Sequence, residues 1–250
     1  MFNKYKQDTR QSITMLFTLN EHCNWNCWYC NQGLNKKKNV LNLTKYKSIL
    51  LKFKNEIIKH NIPVTDYIFM GGELCILPNL NEYFEDISKY IDMSRDVTFI
   101  IVTNFSCDII TYEKLFKILD KQNIKAKLSV SAHSMYIDKT FITKINCIKD
   151  HIDLTVNVVG TQPELVKELE MHNIKYEINA IEFDEEGIGS NKMCNYQGYT
   201  ILPNAEIVDD CSQESTNYMK FKIEALNKQC NLKCPSCIKS HKRYINMYEI

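Results

Sequence analysis

The amino-acid sequence predicts an α/β protein: a partial (β/α)6 barrel over residues 1–189, followed by a small cysteine-rich module over residues 190–250. Three observations carry this. Short apolar stretches alternate with helix-period patterns almost without interruption up to about residue 181. Parallel neighbours need a helix-length crossover, so six such units imply a parallel sheet with helices outside. The chemically suggestive side chains fall just after the predicted strands, where βα barrels carry their sites, although an open sheet is also allowed. Beyond residue 190 the alternation breaks, and five of the eleven cysteines gather there.

Strands are expected over 13–19, 66–70, 97–102, 127–132, 152–158 and 174–180. The first helix follows Thr44, with Ile49, Leu50, Phe53, Ile57 and Ile58 on one face. The second carries Leu80, Tyr83, Phe84, Ile87 and Ile91 along one side. Three more are marked by Leu115, Phe116 and Leu119, by Phe141, Ile142, Ile145 and Ile148, and by Leu165, Val166 and Leu169. Thr44, Thr111 and Asp138 are candidate caps, and Pro163 suits a first helical position. Cys147 falls among the apolar positions of its helix and is expected in the core. Near the C-terminus, residues 198–208 read as a β-hairpin with its turn at 203–205.

The chain of 250 residues is 44% hydrophobic and 24% charged, as in globular proteins, and its formal net charge of +1 gives no electrostatic case for nucleic acid or an anionic membrane. No signal peptide or membrane span is expected, so the partners exclude nucleic acid and membrane. Many cysteines without an export signal indicate a reducing compartment, with thiols kept for metals or catalysis and a cytoplasmic location.

Cys23, Cys27 and Cys30 are spaced C-x3-C-x2-C directly after the first strand. Three thiolates from one loop can hold three irons of a [4Fe-4S] cluster, leaving the fourth iron open to a non-protein ligand. Zinc is the competing metal, with the adjacent His22 as a possible fourth ligand. Gly71-Gly72-Glu73 follows the second strand; paired glycines admit a close ligand, and a carboxylate can accept from an ammonium group. Thr103 and Asn104 end strand three, Ser129, Ser131 and His133 end strand four, and Asn157 lies in strand five. Cys75 and Cys107 follow strands two and three. At the C-terminal end, Cys194 and Cys211 bracket the hairpin, and Cys230, Cys234 and Cys237 repeat the triplet spacing.

The triplet, with aromatic Tyr29 before its last cysteine, resembles the cluster motif of radical S-adenosylmethionine (SAM) enzymes, and residues 71–73 resemble that family's GGE motif. The cysteine-rich end resembles the SPASM/Twitch auxiliary-cluster modules of the same enzymes. Two departures stand out: Leu74 where proline is common after the GGE glutamate, and Ala205 where the hairpin turn usually has glycine.

The resemblance implies a partial barrel in which the open iron chelates the methionyl amino and carboxylate groups of SAM. Cleavage of SAM then yields a 5'-deoxyadenosyl radical that abstracts hydrogen from substrate. It further implies that residues 71–73 meet the methionyl amine and that Thr103, Asn104, Ser131 and Asn157 serve the carboxylate and ribose. By the same resemblance Ile178 flanks the adenine. An auxiliary [4Fe-4S] cluster would use Cys194, Cys211, Cys234 and Cys237, with Cys230 as a replacement. His133 is a candidate for orienting substrate or relaying a proton, and Cys75 or Cys107 for donating a hydrogen atom to a substrate radical.

A reductant such as flavodoxin or ferredoxin is the expected partner. The substrate is a small molecule of sugar or nucleoside type, or a peptide. About twenty residues precede the triplet, which tilts the expectation toward a small molecule or a short peptide. A non-enzymatic protein with two structural zinc sites is the alternative of another class.

Overall fold

The computed structural model describes residues 12–27, 39–179, 193–194, 196–209, 215–223 and 228–229. Strands and helices alternate as β1 (Ser12–Thr18), α1 (Leu43–Lys59), β2 (Val64–Met70), α2 (Leu80–Phe84), β3 (Asp96–Thr103), α3 (Ile109–Asp120), β4 (Lys125–Ala132), α4 (Phe141–Ile148), β5 (Asp153–Val159), α5 (Pro163–Met171) and β6 (Tyr176–Asn179). The six strands lie side by side in chain order, every pair parallel, as the serial βα pattern implied.

Two short strands, β7 (Met193–Cys194) and β11 (Lys228–Gln229), pair with each other; β8 (Tyr196–Ile201), β9 (Glu206–Asp209) and β10 (Ser215–Asn217) extend the main sheet. β8 runs parallel to the free side of β1, and β9 and β10 follow antiparallel. The predicted hairpin of the cysteine-rich segment therefore shares the sheet of the βα units. Among the described residues the main sheet is open and nine-stranded, and β7 and β11 form a separate two-stranded one.

Burial alternates along each strand, so the sheet has two different faces. The fully buried set packs on the helices. Phe17 and Phe69 meet Tyr46 of α1 at ring separations of 5.4 and 6.5 Å, and Phe69 meets Phe84 of α2 at 4.9 Å. Each such ring contributes roughly 2 kcal/mol of burial. Register places Tyr199 beside Met15 and Ile201 beside Phe17, so the hairpin adds to this same face. Phe53 of α1 receives both Tyr199 and Phe221, and Glu56 on α1 accepts the backbone N–H of Ile223 at 3.1 Å. The half-buried set looks away from the helices and includes Leu16, Met70, Val102, Ser131 and Asn157.

Several local expectations are corrected. Asn42, not Thr44, caps α1 by accepting from the N–H groups of Thr44 and Lys45. Asp108, not Thr111, caps α3. The second helix stops at Phe84 because Glu85 turns extended and Asp86 takes a φ of 57°, after which Ile87–Lys89 make a single 3-10 turn. Cys147 is exposed, since α4 buries Phe141, Ile145 and Ile148 and leaves position 147 on another side. Ala205 sits at φ 70°, a left-handed conformation that costs a residue with a Cβ about 1 kcal/mol.

Candidate functional site

The run leaving β1 passes directly over the turn that leaves β2. Leu19 N–H donates to the Met70 carbonyl at 2.9 Å, Gly72 N–H to Asn20 at 2.9 Å, and Glu73 N–H to His22 at 2.8 Å. Asn20 Nδ2 returns a bond to the Glu73 carbonyl at 2.9 Å. A Cβ on Gly71 would stand 2.1 Å from Asn20 Oδ1, and one on Gly72 would stand 2.1 Å from the His22 carbonyl oxygen. Neither glycine has a positive φ, so close approach of two backbones, not turn conformation, demands glycine here. That approach is what seats Cys23 at the mouth of the sheet.

Glu73 is 1% exposed. Its Oε1 accepts from Cys75 N–H at 2.9 Å and from the Thr103 hydroxyl at 2.7 Å, and its Oε2 accepts from Asn104 N–H at 2.5 Å. Leu74 N–H also reaches the carboxylate. Burial pushes the carboxyl above the ordinary glutamate range, and these donors pull it back. The side chain therefore buckles the β2 loop to the β3 loop instead of presenting its oxygens to a ligand. Thr103 belongs to the same buckle: it is buried on the helix side, bonded to Glu73 and to the Tyr112 hydroxyl at 3.0 Å. Burial holds Tyr112 well above the ordinary phenol range.

Asn104 faces the cysteine loop. Its Nδ2 donates to Asn24 Oδ1 at 2.9 Å and lies 3.9 Å from Cys23 Sγ. Asn24 in turn donates to the Ser106 hydroxyl at 2.8 Å, and Trp25 N–H donates to Cys23 Sγ at 3.3 Å. From the other side the β4 loop reaches over. The Tyr136 hydroxyl donates to the Asn26 carbonyl at 2.8 Å while its ring stacks on Trp25 at 5.1 Å. His133 organises that β4 loop, accepting from Met135 N–H at its Nδ1 and, through its carbonyl, from Tyr136 and Ile137.

Ser131 and Asn157 are direct neighbours in register, both half-buried on the face away from the helices, with Glu177 of β6 next in the row. Asn157 Nδ2 donates to the Ser129 hydroxyl at 2.6 Å. Ile178 pairs with Val158 instead and so lies on the opposite, helix-side face. Alternation along a strand reverses the side at each residue, so Ile178 does not share the face of Ser131 and Asn157.

Cys75 and Cys107 are joined to each other as a disulfide. Neither is a free thiol in this state, so a hydrogen-atom donor at either position first requires that bond to be reduced. Cys23 and Cys27 are half-buried. Tyr29 and Cys30 lie outside the described residues, as do Cys211, Cys230, Cys234 and Cys237. Cys194 is described in its backbone alone, where β7 pairs it with Lys228. Among the described residues no three metal-binding side chains converge. A groove of about 450 Å³ lined by Lys125, His151 and Asp153 lies at the other end of the strands.

No sequence pattern points to Asn20, Asn24, Ser106, Tyr112 or Tyr136. Each is a single polar or aromatic residue outside any motif, and all but Tyr112 have a partner distant in the chain.

Among solved structures, Streptococcus suis SuiB bound to precursor peptide SuiA matches with a TM-score of 0.59 and 13% identity, over 84% of this chain and 63% of SuiB. Native anSMEcpe with bound AdoMet matches at 0.51 and 14% identity, and with AdoMet and the Cp18Cys peptide at 0.50 and 16%. Each of these two alignments covers 70% of this chain and 54% of the other. SuiB and anSMEcpe are radical SAM enzymes. The chain has the radical SAM fold. At such identities the likeness is one of fold, and the chain spans less than two thirds of the length of SuiB or anSMEcpe. No protein-family profile matches it, and no characterised protein matches it in sequence.

Within the radical SAM fold, the residues present fit an iron–sulfur cluster with SAM. Two half-buried cysteines, Cys23 and Cys27, share one loop, N–H groups point at Cys23 Sγ, and Asn20 Oδ1 is buried beside the glycine turn without a hydrogen-bond partner.

Proposed function

We propose that this chain is a radical SAM enzyme, with Cys23, Cys27 and Cys30 as the ligands of a [4Fe-4S] cluster. The observation that carries the reading is the seating of the cysteine loop on Gly71 and Gly72, closer than any Cβ permits, in a chain of this fold. When bound, the cluster and SAM supply a 5'-deoxyadenosyl radical that takes a hydrogen atom from substrate.

The chain's own residues hold and orient. With Glu73 already engaged by four donors, the methionyl ammonium falls to the carbonyl oxygens of Gly71 and Gly72 and to Asn20 Oδ1. Asn104 and the Trp25 N–H stabilise negative charge on Cys23 sulfur, the kind of contact that tunes cluster potential. Tyr136 and Trp25 hold the loop between Cys23 and Cys27 against the β4 loop. Ser131 and Asn157 are assigned to the SAM carboxylate and ribose, and His133 to substrate orientation. The polar row Ser131, Asn157 and Glu177 favours a polar substrate, a small molecule of sugar or nucleoside type or a short polar peptide. Cys194, Cys211, Cys234 and Cys237, or Cys230 in place of one, are assigned to an auxiliary cluster, and a flavodoxin or ferredoxin to electron supply.

The test is iron and sulfide content after anaerobic reconstitution, for wild type and for a variant with Cys23, Cys27 and Cys30 all changed to alanine. Two clusters require about eight irons in the wild type and about four in the variant. Wild-type protein must also release 5'-deoxyadenosine from SAM under a strong reductant. Zinc in place of iron, with no SAM cleavage, overturns the reading.

A further inference from the structure

Cys75 and Cys107 stand 32 residues apart in sequence, yet their Cα atoms lie 6.0 Å apart. They meet because β2 and β3 are adjacent parallel strands whose following loops leave the same end of the sheet. The spacing suits a disulfide. Both residues are half-buried, so solvent reaches the pair.

The bridge joins the same two loops that Glu73 buckles. Cys75 N–H donates to Glu73 Oε1 at 2.9 Å. Cys107 N–H reaches the Tyr112 hydroxyl, which is bonded to Thr103 and through it to Glu73. Cys75 Sγ lies 3.8 Å from Ser106 Oγ, the group that accepts from Asn24 in the cysteine loop. Each half of the bridge is thus coupled by hydrogen bonds to the groups that hold Cys23 in place.

We propose that Cys75 and Cys107 form a reversible thiol–disulfide site opened by a dithiol reductant, and that its state sets how firmly the β2 and β3 loops hold the cysteine loop. In opening, one reductant thiolate attacks a bridge sulfur, the S–S bond breaks, and the other cysteine leaves as a thiolate. The second reductant thiol then displaces the mixed disulfide. Two electrons and two protons pass to the protein, and the reductant departs as its own disulfide. The exchange site stands whether or not the cluster reading holds; its link to SAM chemistry rests on that reading.

The full chain is equilibrated anaerobically in mixtures of reduced and oxidised dithiothreitol, then quenched, alkylated and digested with trypsin. Cys75 and Cys107 fall alone in peptides 60–89 and 96–114, and Cys147 in peptide 145–149 serves as a thiol control. The linked pair 60–89/96–114 is expected to appear and disappear reversibly with the mixture while Cys147 stays alkylated. Backbone amides 104–107 are expected to exchange hydrogen about tenfold faster in the reduced protein. A variant with both Cys75→Ser and Cys107→Ser is expected to exchange at the fast rate in every mixture.

No linked pair, or one that does not reopen, overturns the site. A linked pair with unchanged exchange at 104–107, or a double variant that still follows the mixture, overturns the coupling. Iron content is read separately, so failure of the cluster reading leaves these outcomes intact.

Discussion

The β2–β3 corner and the ends of β4 and β5 sit at the same end of one sheet but are built in opposite ways. At β2–β3 the polar side chains are turned on the protein itself: Glu73, Thr103, Tyr112, Asn104 and the Nδ2 of Asn20 bond to neighbouring segments, with Glu73 and Thr103 almost fully buried and Asn20 Oδ1 left over. At β4–β5 the side chains of Ser131 and Asn157 stand half-exposed in a row on the face away from the helices. The first corner is a fastening and the second a presentation surface. A polar residue after a strand is therefore not by itself a ligand-binding residue; what it already bonds to decides.

The largest expected break in that contrast is Gly72→Ala. A methyl there meets the backbone of His22 and Cys23, so the apo protein is expected to lose ~3 kcal/mol in urea unfolding. Ser131→Ala, on the open side, should stay within ~1 kcal/mol of wild type. Next is Glu73→Gln. An amide NH2 placed among N–H donors leaves at least one pair facing donor to donor, which costs ~2 kcal/mol in the same measurement. If Glu73→Gln proves neutral, the fastening role is wrong.

Asn157→Ala sharpens the other side. Removing the bond to Ser129 should cost ~1 kcal/mol of stability, whereas SAM affinity of reconstituted protein, measured by equilibrium dialysis, should fall ~10-fold. Unchanged affinity would remove Asn157 from the SAM site.

The smallest effect concerns the turn before α4. Asp138 is held below the ordinary aspartate value by the Thr140 hydroxyl and N–H, so its stabilising contribution is present above pH 3.8 and is lost as pH falls through its lower folded value. Asp138→Asn should therefore lower the thermal midpoint slightly at neutral pH, with the gap to wild type closing below about pH 3.8.

Much of the fold was legible because it repeats. Six apolar stretches with helical patterns between them implied the order of β1 to β6, and Pro163 marked the start of α5. Local errors fell where one residue decides: Asn42 two positions before Thr44, the interruption at Glu85 and Asp86, and Cys147 one step off the buried face of α4. At the site, the cysteine triplet and Gly71-Gly72 could be read because each is a short contiguous motif. The bonds of Glu73 to Thr103 and Asn104, or of Tyr136 to Asn26, could not, since they join residues 30 to 110 apart.

By itself the sequence determined the α/β class, the parallel order of six strands, and the cysteine loop beside a Gly-Gly-Glu turn, because burial period and spacing are local properties of the chain. Only the tertiary structure decided that β8 lines the free edge of β1, that Glu73 is a buckle, that Ile178 turns to the helix side, and that Cys75 meets Cys107. Those outcomes depend on register and on which loops leave the same end of the sheet, and they are fixed only when distant strands pair.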